Sequence, residues 1–163
     1  MKAGLSKRLW RYRYALLSAL AIAGCGVSAY FLFFKPQIPE CRAVLRSTDQ
    51  LPGQLMQRVL LVSVVPEGAR GVTLLLSGSF FDGDTRYTIE RAMIMDYQRQ
   101  GSNYTLRRKE AVRKPQDNLD NEALNRRLPM SAPLIHWRIE KIDKRHFLFS
   151  GNHAPLFVCT TAS

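Results

Sequence analysis

The sequence predicts an α+β protein: one N-terminal transmembrane helix followed by a small antiparallel-sheet domain with one short helix. Three observations lead there. Tyr14 to Phe34 is a stretch of 21 residues without a charge. Between residues 58 and 159 short apolar or alternating segments are separated by Gly, Pro, Asp and Asn turns. Helical spacing recurs in the domain only at 118–128. With 163 residues and 18.6 kDa the chain has room for one domain beyond a membrane segment. The expected organisation is a cytoplasmic basic tail at 1–13, a transmembrane helix at 14–34, a linker at 35–40 and a periplasmic domain at 41–163.

The uncharged stretch is about 31 Å long as a helix, enough for a hydrocarbon core of about 30 Å. Lys2, Lys7, Arg8, Arg11 and Arg13 precede it with no acid among them. By the positive-inside rule the N-terminus stays in the cytoplasm and the domain is exported across a bacterial inner membrane. Trp10, Tyr12 and Tyr14 stand at one interface and Tyr30, Phe31, Phe33 and Phe34 near the other, and Lys35-Pro36 ends the span. A cleaved signal peptide and a lipoprotein are the rival readings, since Ile22-Ala23-Gly24-Cys25 resembles a lipobox. Apolar sequence runs nine residues past Cys25, which favours an uncleaved anchor. Ala15, Ala19 and Ala23 recur at a spacing that lets membrane helices approach, a weak sign of a helix partner.

In the domain, Arg58 to Val65 reads as a strand stopped by Pro66-Glu67-Gly68, and Gly71 to Phe81 as a second, turned by Asp82-Gly83-Asp84. Arg86 to Gln98 alternates most clearly, with Tyr87, Ile89, Met93, Met95 and Tyr97 on one face. Gln100 to Asn103 makes a turn and Tyr104 to Val112 runs back. Asn118 to Leu128 reads as the helix, N-capped by Asp117, with Leu119, Ala123, Leu124 and Leu128 as its apolar face. Leu134 to Ile142, Phe147 to Ser150 and Leu156 to Cys159 complete the set, Ile135, Trp137 and Ile139 pointing inward.

Cys41 and Cys159 stand near the two ends of a domain destined for an oxidising space, and they are the expected disulfide. Neither has the neighbouring base or two-residue spacing of a catalytic thiol. His136, His146 and His153 are candidates for pH sensing because imidazole titrates near neutrality, although ordinary exposed histidines look the same in a sequence. Their spacing does not suit zinc, and Asp82-Gly83-Asp84 reads as a turn before a metal site. No metal or cofactor is expected.

The formal charge of +11 would suit a nucleic-acid partner. Removing the five tail bases leaves 19 against 13 acids, a formal +6 that is mostly interleaved. No direct contact with nucleic acid is expected. Arg107-Arg108-Lys109 and Arg126-Arg127 are runs that could face acidic lipid or an acidic partner, or be solvated surface. Nothing resembles a nucleophile elbow, a metal motif or a pair of catalytic carboxylates, so neither an enzyme nor a small-molecule substrate is expected.

The order of features is more specific than any one of them. An anchor leads to Cys41; Gly71 and Gly78 mark a glycine-bounded strand pair; Tyr87, Ile89 and Arg91 form a Tyr-x-Ile-x-Arg strand; Gly101 and Tyr104 form a Gly-x-x-Tyr turn. An Asp/Asn-rich helix ends in Leu128-Pro129, and Pro155, Phe157 and Cys159 close the chain as Pro-x-Phe-x-Cys. This order resembles the FidL-like inner-membrane proteins, and within them the PsaF–MyfF type, similar in role to ToxS. The resemblance implies a periplasmic accessory protein. Its partner would be a membrane-anchored, winged-helix, ToxR-like regulator, stabilised through its periplasmic domain so that adhesin or virulence genes are expressed. The alternative is an envelope assembly factor or a chaperone for exported fibre subunits, which would have less need of an anchor.

Overall fold

The computed structural model describes residues 3–33, 37–51, 54–152 and 154–162. The chain divides into two units, Met1–Lys35 and Pro36–Ser163. The first is a single helix, α1, from Ala3 to Phe33. Its stretch Tyr12–Phe31 is long and apolar enough to cross a membrane. A helix that satisfies its own backbone while presenting apolar side chains all round suits lipid.

The second unit is a closed barrel of eight antiparallel strands in chain order. The strands are β1 (Cys41–Leu51), β2 (Gln54–Glu67), β3 (Gly71–Asp82), β4 (Thr85–Gln100), β5 (Asn103–Arg113), β6 (Leu134–Lys141), β7 (His146–Ser150) and β8 (Pro155–Thr160). Every neighbour in sequence is a neighbour in the sheet, and β1 meets β8 at Arg42↔Thr160. Eight strands enclose an interior that side chains alone can fill. Leu60, Val62, Val64, Val72, Leu74, Leu76, Ile89, Met95 and Leu106 fill it, all buried. Trp137, Phe149 and Phe157 add an aromatic group, with centroids 5.2 Å, 6.1 Å and 4.8 Å apart. Gly78 is required where β3 crosses β2, because a Cβ there would collide with the Val59 carbonyl oxygen.

The barrel corrects the expected fold class. The chain does not carry a small α+β antiparallel-sheet domain with one short helix; its sheet closes on itself as an eight-stranded barrel. Two features hid this. β1 has Cys41, Ala43, Leu45 and Ser47 on its inner positions and Arg42, Arg46 and Thr48 outside, a small and weakly apolar inner face that does not read as a strand. Closure is a contact between the first and last strands, and no periodicity in a local window encodes it. The helix is also shorter than expected: α2 is only Glu122–Asn125, and its N-cap is Asn121, whose side chain accepts from the Ala123 and Leu124 amides. Asp117 is not the cap, because its carboxylate is engaged elsewhere.

Residues 37–40, expected as linker, belong to the barrel unit. Ile38 is buried, and Gln37 is held by two tyrosines: its amide donates to Tyr97 Oη (3.2 Å) and its carbonyl accepts from Tyr104 Oη (3.1 Å).

Candidate interaction site at the arginine end of the barrel

The strands are of two heights. β1 to β5 have 11 to 16 residues and β6 to β8 have 5 to 8. One end of the barrel is level and the other is cut away along one side. At the level end Cys41 and Cys159 form a disulfide, with Cα atoms 5.5 Å apart. At the cut-away end the β5–β6 ladder stops at Arg107↔Leu134, although β5 continues beside β4 to Arg113. The chain from Lys114 to Pro133 fills this end, burying Leu119, Leu124, Leu128 and Met130.

Arginines hold that segment in place. Arg91 occupies an inward position of β4, between Ile89 and Met93, and its side chain is only 12% exposed. Its Nε and Nη2 donate to the two oxygens of Asp117, which is fully buried, Nη2 to Oδ1 at 2.9 Å. Asp117 also accepts from the amides of Glu90 (3.1 Å) and Leu119 (3.2 Å) and from Arg113 Nη2 (3.1 Å). Burial pushes the Asp117 carboxyl up, but the Arg91 guanidinium and the two amides outweigh it and hold the group below the usual carboxylate value. Arg113 is raised by its bond to Asp120 and by Asp117. Arg58 donates to the Arg127 carbonyl and to Asp49, and Arg108 Nη1 donates to the Ser131 carbonyl (2.7 Å).

Between β5 and the 114–133 segment lies a cavity of about 630 Å³, within the range of binding clefts. Leu76 and Met93 give it an apolar lining; Arg91, Arg108, Arg113 and Arg126 give it four positive charges against one acid, Glu122. The Arg126 guanidinium is 83% exposed and meets Glu122 only at 3.7 Å. The two basic runs of the sequence thus converge, Arg108 from one and Arg126 from the other. Lys109 turns outward to Asp96 (2.8 Å) and Arg127 reaches Met56.

The family model described as "FidL-like putative membrane protein" matches residues 78–159, just over half of the chain. The chain belongs to the FidL-like family. In this FidL-like chain the matched stretch contains Arg91, Arg108, Arg113, Asp117 and Arg126, together with Cys159, whereas Cys41 and Arg58 lie before it. A search of curated proteins finds no match.

The two described histidines of the FidL-like barrel do not form one group. His136 lies near the start of β6, its Nδ1 3.2 Å from Thr105 Oγ1, and His146 begins β7 beside Asp143 at 2.8 Å. They mark opposite ends of the β6–β7 hairpin, and His153 lies outside the described residues. The exposed Asp143 carboxyl is held low by the Arg145 amide and then by the His146 side chain and amide. Among the described residues no cluster of His, Cys, Asp or Glu is arranged to hold a metal.

In the sequence Arg91 stands only as part of a strand motif and Asp117 as a helix cap, and nothing there singles out Arg58 or Arg113. One signal was available: Arg91 is a charge on the apolar side of the best alternating strand. Such a position needs a buried partner, and Asp117 provides it.

Proposed function

We propose that this FidL-like protein is an accessory subunit of a membrane-bound ToxR-like regulator. Its barrel, exported to the periplasm from an N-terminus left in the cytoplasm, binds the regulator's periplasmic domain and protects it, and adhesin or virulence genes are transcribed as a result. The observation that carries this reading is the FidL-like family match. The apolar N-terminal helix, the disulfide and a cationic cleft facing solvent support it. The role needs no enzyme chemistry. Binding only the folded form of a partner lowers the population of its opened, protease-sensitive form by mass action. An effective concentration about a hundredfold above the dissociation constant stabilises the partner by about 2.7 kcal/mol, and a shared membrane makes such concentrations accessible.

The test is the half-life of a co-expressed ToxR-like regulator after protein synthesis is stopped. Deleting this gene should shorten it, and the two membrane proteins should co-purify. An unchanged half-life without a complex rejects the reading.

A further inference from the structure

β5 has one edge that the barrel leaves unused. Arg108 N–H still reaches the Pro133 carbonyl at 2.9 Å, but from Lys109 to Arg113 no described residue pairs with this edge. Lys114 N–H donates to Glu90 O on β4 at 2.9 Å. An antiparallel ladder alternates, so Val112 and Glu110 turn their backbone groups to β4, while Ala111 and Arg113 turn theirs away from it. They face the cavity bounded by Arg108, Ala111 and Arg113 on one side and by Arg126 and Leu128 on the other. Asn125 lines the same cavity, and its Oδ1 is buried without a donor. Free strand edge, an unmet acceptor and an excess of guanidinium groups therefore meet in one slot, about 17 Å long if measured as five extended residues.

We infer that this slot receives an extended, acid-bearing strand of the protein's partner, added to β5 where β6 leaves off. Backbone groups of Ala111 and Arg113 pair with the incoming strand, which gives affinity. Its inward carboxylates meet Arg108 and Arg126, whose guanidiniums retain uncommitted donors. Arg91 and Arg113 are largely occupied by Asp117 and Asp120 and supply field more than hydrogen bonds. A basic strand finds the same backbone edge but four like charges. That the strand belongs to the regulator rests on the function proposed above; the slot and its chemistry do not.

The experiment uses the full chain in nanodiscs and a short, capped, fluorescent peptide of alternating glutamate and valine, beside the same peptide with lysine for glutamate. The glutamate peptide should bind and the lysine peptide should not, with binding weakened by salt. Ala111→Pro removes a donor that faces the slot and not β4, a position where an edge strand tolerates proline. It should lower affinity about tenfold or more at an unchanged thermal midpoint. Arg126→Glu, at an exposed side chain, should do the same. Equal binding of the two peptides, or undiminished binding by both variants, overturns the proposal. So does a dimer of this chain that Ala111→Pro dissolves, which would give the slot to a second copy. In cells, a regulator still protected by Ala111→Pro protein overturns the slot as its docking site but leaves the accessory role intact. Peptide binding without any effect of the gene on regulator half-life sinks the accessory role and leaves the slot.

Discussion

The two ends of the barrel are closed by different physics. At the level end closure is covalent and apolar: Cys41–Cys159 joins the first strand to the last, Ile38 is buried, and Tyr97 and Tyr104 pin Gln37 with neutral hydrogen bonds. At the cut-away end the lid is the 114–133 segment, kept down by Arg58, Arg91, Arg108 and Arg113 acting on carbonyls and carboxylates. The first arrangement is indifferent to salt and moderate pH. The second depends on both and leaves charge and strand edge exposed. If the arginine end receives a partner, stability and recognition are separated along one axis of a small fold.

Breaking the level end should have the largest effect. Cys41 and Cys159 are 118 residues apart, and a loop of that size restricts the unfolded chain by about 4–5 kcal/mol in the chain-entropy view. Cys41→Ser and Cys159→Ser open the same loop, so they should lose equal stability in denaturant titrations. Thiol labelling of the denatured, unreduced protein should find Cys25 alone. Unequal losses, or labelling at 41 or 159, would contradict this account of the level end.

Next comes the buried carboxylate of the other end. Asp117→Asn leaves Arg91, 12% exposed, without its counter-ion, and removing one partner of a buried pair costs about 3–5 kcal/mol. The pH dependence has a definite sign. The carboxyl is held below its ordinary value of 3.8 in the folded state, so its contribution is complete above that value and is lost as the pH falls through the lower, folded one. Acid should therefore loosen the arginine end first, seen as faster amide exchange at 114–133 than at 41–46 below about pH 4. Asp117→Asn should make that difference independent of pH.

Gly78→Ala should cost less, about 1–3 kcal/mol, because β2 must shift to admit a methyl group against the Val59 carbonyl. It lies on the tall wall between the two ends. Its midpoint loss in thermal unfolding should be the same with the disulfide intact or reduced, since the site is remote from Cys41 and Cys159 in the ladder.

The two ends were also unequally legible in the sequence. The level end was readable from Cys41 and Cys159, because export and terminal placement leave little else for two cysteines to do. Strands were readable wherever one face was strongly apolar, as with Ile89, Met93, Met95 and Tyr97. β1 was not, because Ala43, Leu45 and Ser47 make a thin inner face. The arginine end was scattered through the sequence as two basic runs, one arginine within an apolar face, and an aspartate misassigned as a helix cap. Arg91 and Asp117 are 26 residues apart, and only the fold brings them together. Unpaired strand edge has no sequence signature of its own, since it depends on the neighbouring strand being too short.

The smallest stability effect gives the sharpest comparison. Arg126 is 83% exposed and its one ion pair, with Glu122 at 3.7 Å, is long and solvated. Pairs of that kind contribute little, and although Arg126 is the C-cap of α2 its capping contacts are made by the backbone N–H, which a side-chain substitution leaves in place, so the effect stays within about 0.5 kcal/mol. Arg126→Gln should therefore leave the unfolding midpoint where it was, while the guanidinium it removes is the most accessible of the four around the cavity. If the arginine end serves recognition, affinity for the acidic peptide should fall and its salt dependence should flatten in this variant. Asp117→Asn would instead lower affinity and stability together. A variant that loses stability without losing affinity would mean that Arg126 belongs to the lid, and that the barrel's two ends differ in how they hold and not in what they do.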